Sequence, residues 1–215
     1  WKTGLMNADN WKSNWISVID RDRDVSQAPY FINDFRLNKK IISATLYITS
    51  RGVYEAHING KRVGDSFLTP GWTSYSNRIQ YQAYDVKEML NEGENRIGVV
   101  LADGWFKNFK PNQGNRITDY GKSTSFISEL IITYQDGSKE SIIDDQNWNY
   151  HFGAIRSSSI YNGEIIDLNL YDHLWAHPSA ENDQVKKAQI ADKYIGRLDH
   201  TRNEMIKKRE VLSAK

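Results

Sequence analysis

The stretch that decides the fold runs from residue 46 to residue 106: LYITSRGVYEAHINGKRVGDSFLTPGWTSYSNRIQYQAYDVKEMLNEGENRIGVVLADGWF. Val53 to Asn59 alternates, which puts Tyr54, Ala56 and Ile58 on one face of a strand and Glu55, His57 and Asn59 on the other. It ends in Asn59-Gly60, the pair suited to a two-residue turn with φ positive at both positions, so a return strand is predicted from Lys61-Arg62-Val63. Thr69-Pro70-Gly71 marks another turn. Arg78 to Tyr84 then alternates again, with Ile79, Tyr81 and Ala83 expected toward the core. Asp85 is placed to cap one or two helical turns through Leu90, with Glu88 at the capping-box position, and Asn95 to Leu101 is an apolar run of strand length.

Outward from this stretch the same grammar continues. Tyr30 to Leu37 and Ile41 to Thr49 read as strands separated by Asn38-Lys39-Lys40, and Phe126 to Tyr134, Asp136-Gly137 and Ser141 to Ile143 read as a hairpin. Residues 106 to 124 lose periodicity and are expected as a long surface loop, and loops of such length are often functional. Ile165 to Leu170 reads as a last core strand, and after His177-Pro178 only weak strands remain. The expected fold is an all-β antiparallel sandwich of jelly-roll, galactose-binding-like type with one short helix. Residues 1–28 are expected as a lead-in, 29–180 as the sandwich, and 181–215 as returning strands and a linker, with Met205 to Lys215 forming an edge strand or an unpaired extension.

The 215 residues carry 28 basic and 27 acidic side chains, a formal net charge of +1, and no basic block of the length that tracks phosphates. Nucleic acid is therefore not an expected partner. The hydrophobic fraction of 39% is low, but 7 Trp and 12 Tyr supply large buried area with polar edges. The absence of cysteine excludes a disulfide framework and a thiolate zinc site. No apolar run approaches the ~18 residues of a membrane span.

Residues that carry chemistry are sparse. Asp103, Asp119, Glu164 and Asp167 are the nearest to a glycosidase-like carboxylate pair, but acidic residues in turns mostly cap backbone N–H groups. His173 and His177 lie four apart, yet Pro178 and the want of a third ligand make two exposed loop histidines the better reading. Neither a Gly-x-Ser-x-Gly elbow nor a phosphate-cradling glycine loop occurs. What remains are aromatic rings at loop edges beside carboxylates and amides: Trp72 and Tyr75, Trp105 and Phe106 after Asp103-Gly104, and Tyr161 beside Asn162-Gly163-Glu164. Such groups suit a sugar, with a ring on its C–H face and a carboxylate on paired hydroxyls, while Trp72, Trp105 and Trp148 read rather as core or corner plugs.

The order of Tyr54-Glu55, Asn59-Gly60, Leu68-Thr69-Pro70-Gly71-Trp72-Thr73, Asp85-Val86, Gly93-Glu94-Asn95 and Ala102-Asp103-Gly104-Trp105 closely resembles the N-terminal domain of bacterial α-L-rhamnosidases, glycoside hydrolase family 78. Ile160-Tyr161-Asn162-Gly163-Glu164 and Trp11 to Ile16 resemble the same family. The resemblance implies a non-catalytic sandwich, and a catalytic (α/α)6 barrel, of which the chain carries nothing, that inverts the anomeric centre with two carboxyl groups. It also implies rhamnose-bearing glycan as ligand, held by Asp103, Trp105, Tyr161, Asn162 and Glu164 with Trp105, Asp103, Asn162 and Glu164 lining one cleft, and a candidate calcium near Asn162 and Asp167. A packing module that only supports the barrel, or a stand-alone sugar-binding module, is the alternative reading, and the expected location is periplasmic or extracellular.

Overall fold

The computed structural model describes residue 5 and residues 11–18, 27–107, 120–121 and 123–213. Asp119 and most of the expected loop lie outside the described residues, as do parts of the lead-in. The described chain forms, in order, β1 (Ile16–Ser17), β2 (Pro29–Leu37), β3 (Ile41–Arg51), β4 (Val53–Ile58), β5 (Lys61–Arg62), β6 (Ser66–Phe67), β7 (Arg78–Asp85), β8 (Gly93–Ala102) and β9 (Ser125–Tyr134). It continues with β10 (Lys139–Ile143), β11 (Asn149–Phe152), β12 (Ile155–Ser159), β13 (Gly163–Ile166), β14 (Lys186–Lys187), β15 (Gln189–Ile190), β16 (Arg197–His200) and β17 (Ile206–Lys207).

These strands make an all-β sandwich. One sheet runs β15-β1-β9-β3-β7-β16 with β10 beside β9, and the other runs β14-β11-β2-β8-β4-β5. Pairing is antiparallel except for β16 against β7. The core between the sheets follows from alternation: Ala44, Leu46 and Ile48 of β3 and Phe126, Leu130 and Ile132 of β9 meet Phe31 of β2, Ile97, Val99 and Leu101 of β8, and Tyr54, Ala56 and Ile58 of β4. Phe126 packs edge-to-face on both Phe31 and Trp148, each at 5.0 Å, which locks the two sheets together.

The turn at Asn59-Gly60 has φ of 52° and 79°, and Ile58 pairs with Lys61, as the sequence predicts. Several expectations need correction. Ile79 and Tyr81 are buried, but against the outer side of the seven-stranded sheet, where Trp11, Trp15, Tyr47 and Leu198 cover them, and Ala83 on that side is exposed. Gln82 and Tyr84 take the inner side instead, because Ile48 pairs with Gln82 and Leu46 with Tyr84. The predicted helix is one 3-10 turn, Lys87–Met89; Asp85 ends β7 and its Oδ1 accepts from Lys87 N at 3.2 Å.

Ile165 to Leu170 is not a core strand. β12 and β13 pair only with each other, and Ile165 and Leu168 are 66% and 78% exposed. Of the tryptophans weighed as plugs, Trp148 is fully buried and Trp72 is 62% exposed. Trp11 and Trp15 are buried, β1 and β15 pair at Ile16 and Ile190 in the seven-stranded sheet, and β17 pairs with β6 at Ile206 and Phe67 in a two-stranded sheet of its own.

Candidate functional site

Antiparallel register on the six-stranded sheet builds a floor from residues far apart in the chain. His151 pairs with Tyr30, Tyr30 with Val100, and Val100 with Glu55, so one cross-strand row of side chains spans β11, β2, β8 and β4 on the outer face. The next row runs Ile32, Gly98, His57 and Arg62. Trp175 lies on that second row. A Cβ on Gly98 would stand 2.5 Å from Trp175 Cζ3, so only glycine lets the indole rest on the sheet. The indole meets Tyr30 at 5.0 Å and His57 at 5.1 Å, both edge-on.

Arg96 fixes this indole's segment. Its Nε and Nη2 donate to the two carboxylate oxygens of Asp34 at 2.6 and 2.9 Å, and its Nη1 donates to Ala180 O at 2.9 Å and Trp175 O at 3.5 Å. The β12–β13 hairpin, Leu170 to His173 and Phe67 with Leu68 raise the remaining walls around a cleft of about 660 Å³. That volume suits a sugar-sized ligand.

The cleft is polar at one end. Glu55 Oε1 lies 2.7 Å from His57 Nε2 and Oε2 lies 2.8 Å from Arg62 Nε. The hydrogen bond from His57, aided by Arg62 and opposed by burial, holds the Glu55 carboxyl down at about 2. Glu55 is therefore ionised through the neutral range and acts as a hydrogen-bond acceptor, not a proton donor. Burial lowers the pKa of His151 and raises that of Tyr30, which keeps an uncharged imidazole stacked at 5.4 Å on a phenol that retains its proton. Glu164 enters from β13, with Ser158 Oγ 3.4 Å from its Oε1.

Of the residues expected to share one cleft, only Glu164 lines it. Asp103 is turned inward at the end of β8, 6% exposed, with Lys107 Nζ 3.7 Å away. Trp105 pairs with Trp72, their rings parallel within 5° at 6.4 Å. Tyr161 and Asn162 sit at the exposed tip of the hairpin, their backbone N–H groups donating to Ser159 Oγ. Asp167 caps a 3-10 turn, its Oδ1 accepting from Asn169 N and Nδ2, both at 3.0 Å. Among the described residues no three acidic or imidazole side chains converge as metal ligands. His173 is exposed and His177 Nδ1 bonds Ser179 Oγ at 2.7 Å.

The expected set omits Tyr30, Glu55, His57, His151 and Trp175. Alternation along β4 does place Glu55 and His57 together on its polar face; nothing local joins them to His151 or Trp175. A hydrolytic site needs a carboxylic acid that keeps its proton beside a carboxylate. Asp144, whose carboxyl burial raises well above the ordinary range, is 1% exposed and bonded to Ser128 on the other sheet.

A family model described as the α-L-rhamnosidase N-terminal domain matches residues 39–210. An α-L-rhamnosidase of Formosa agariphila is 33% identical over 99% of this chain, which spans 24% of that relative. The crystal structure of an α-L-rhamnosidase from Aspergillus terreus superposes with a TM-score of 0.86 at 34% identity, over 93% of this chain and 23% of that one. That of the Streptomyces avermitilis α-L-rhamnosidase complexed with L-rhamnose gives 0.81 at 31% identity, over 86% of this chain and 18% of that one. The chain thus spans a quarter or less of these relatives' length.

Proposed function

Because the chain belongs to the α-L-rhamnosidase N-terminal domain family, we propose that it is the accessory sandwich of a larger α-L-rhamnosidase, and that the cleft on its six-stranded sheet holds a rhamnose-bearing glycan. The observation that carries this reading is the ionised Glu55 at one end of a sugar-sized cleft lined by Tyr30 and Trp175. A carboxylate with both oxygens fixed still offers lone pairs to a pair of vicinal hydroxyls, and the Tyr30 hydroxyl adds a donor. The aromatic edges cover the sugar's apolar side. Hydrolysis belongs, in this proposal, to a catalytic (α/α)6 domain of the parent enzyme, and an exported location, periplasmic or extracellular, goes with a glycan substrate.

Calorimetric titration of residues 1–215 with L-rhamnose, run with calcium and with a chelator, is expected to give saturable binding that Glu55→Gln weakens roughly tenfold, the usual worth of a charged hydrogen bond. The same protein is expected to release no rhamnose from an aryl rhamnoside. A rate that Glu164→Gln or Asp103→Asn removed would end this reading. The second reading, a packing module for the catalytic domain, is favoured by the apolar rim of the cleft, where Ile166, Leu170 and Tyr171 are 49%, 47% and 66% exposed. Absence of binding in the titration selects it.

A further inference from the structure

We propose that a second cavity, of about 330 Å³ where β16 joins β7, is a binding site for an oxyanion, a carboxylate or a sulfate. Parallel register sets Arg197 beside Arg78 on one face of the sheet, with Asp199 beside Gln80 in the next place along it. Like charges side by side on neighbouring strands are destabilising, so the pair needs a compensating negative charge. Asp199 supplies one, to Arg197 alone, its Oδ2 2.9 Å from both Nε and Nη2.

Arg202 enters the same cavity from beyond β16, and among the described residues neither Arg78 nor Arg202 has an acidic partner. Three guanidinium groups therefore face one carboxylate, with His200 and Asn203 completing the lining. Gln80 makes the back wall and is 9% exposed. Its Oε1 accepts from Arg202 N at 3.4 Å, which leaves its Nε2 to donate into the cavity, without a partner among the described residues. Forked guanidinium donors with a side-chain amide N–H are a donor set suited to a planar or tetrahedral oxyanion. The group is either borne on a sugar, as a uronate or a sulfate ester, or a free inorganic ion.

Arginine Nε–Hε resonances of residues 1–215 read the site directly. The protein is titrated with sodium sulfate, with sodium glucuronate and with neutral glucose, at constant ionic strength held with chloride because exposed arginines are screened by salt. Saturable shifts at Arg78 and Arg202 are expected with both oxyanions and not with glucose, and Arg78→Gln is expected to weaken them roughly tenfold. Sulfate should raise the melting temperature of the native chain by more than that of Arg78→Gln, because exclusion of sulfate stabilises both, and the variant by itself should be no less stable because the like-charge pair is gone. Tighter glucuronate than sulfate identifies a sugar-borne group, and the reverse a free ion. Shifts that stay linear and equal at all arginines, or an Arg78→Gln variant that binds as the native chain does, would overturn the proposal. The site shares no residue with the rhamnose cleft, so rhamnose binding by Arg78→Gln separates failure here from failure there.

Discussion

Replacing Arg96 with alanine is expected to lower unfolding stability by about 2–3 kcal/mol, from two orphaned carbonyls and lost packing of the side-chain stem, and to abolish rhamnose binding in the cleft. The ion pair itself contributes little to this loss, because the Asp34 side chain is 53% exposed and returns to water when its partner is removed. What Arg96 holds is the chain above it. Its guanidinium, 9% exposed, is the shared donor to Trp175 O and Ala180 O, and these fix Trp175 over Gly98. Lysine cannot stand in, because a single ammonium does not reach a bidentate carboxylate and two carbonyls at once. Gly98→Ala separates cleft from clamp: its Cβ would meet the indole at 2.5 and 2.7 Å with the ion pair intact, so binding should fail while stability falls by about 1–3 kcal/mol. Urea unfolding with parallel calorimetry decides the matter. An Arg96→Ala protein that binds rhamnose as tightly as the native chain would remove Trp175 from the site.

What could be read in the sequence was local chemistry, and what could not was register. The Asn59-Gly60 turn and the alternation of β4 depend on neighbouring residues alone, and both stand as read. Alternation along β7 correctly groups Ile79 with Tyr81 but says nothing about which side of a sheet faces the main core. The outer layer that buries them comes from Trp11 and Leu198, more than a hundred residues apart in the chain. An apolar run such as Ile165 to Leu170 likewise reports hydrophobicity and not destination, and here Ile166 and Leu170 line a cleft while Ile165 and Leu168 stay exposed. The cleft floor needs His151, Tyr30, Val100 and Glu55 in one row, and three separate strand pairings create it. A set of loop-edge residues was legible as well; of those, the sheet geometry brings Glu164 alone to the cleft.

Asp144→Ala is expected to cost roughly 2–4 kcal/mol, whereas Asp144→Asn is expected to cost little at acid pH and to become the more stable protein as pH rises. The carboxyl is 1% exposed and joins three segments. Ser128 N donates to its Oδ2 and Ser128 Oγ lies 2.7 Å from its Oδ1, while the backbone of Asp144 accepts from Asn14 N and donates to Ser13 Oγ, both at 3.0 Å. Alanine leaves a buried N–H on β9 without an acceptor; asparagine keeps the acceptor for Ser128 N and turns its amide N–H toward Ser128 Oγ. Burial raises the folded-state pKa of Asp144 well above the ordinary carboxylate range, against the pull of the Ser128 hydrogen bonds. The folded state therefore holds a proton that the unfolded chain has already released. Its contribution to stability is complete below the unfolded pKa and is lost as pH rises through the folded one, so the native protein should weaken relative to Asp144→Asn from about pH 4 upward. Denaturant midpoints across that range measure the difference. A constant gap between the two proteins would mean that Asp144 is ionised in the fold, held so by Ser128, and that burial has not decided its state.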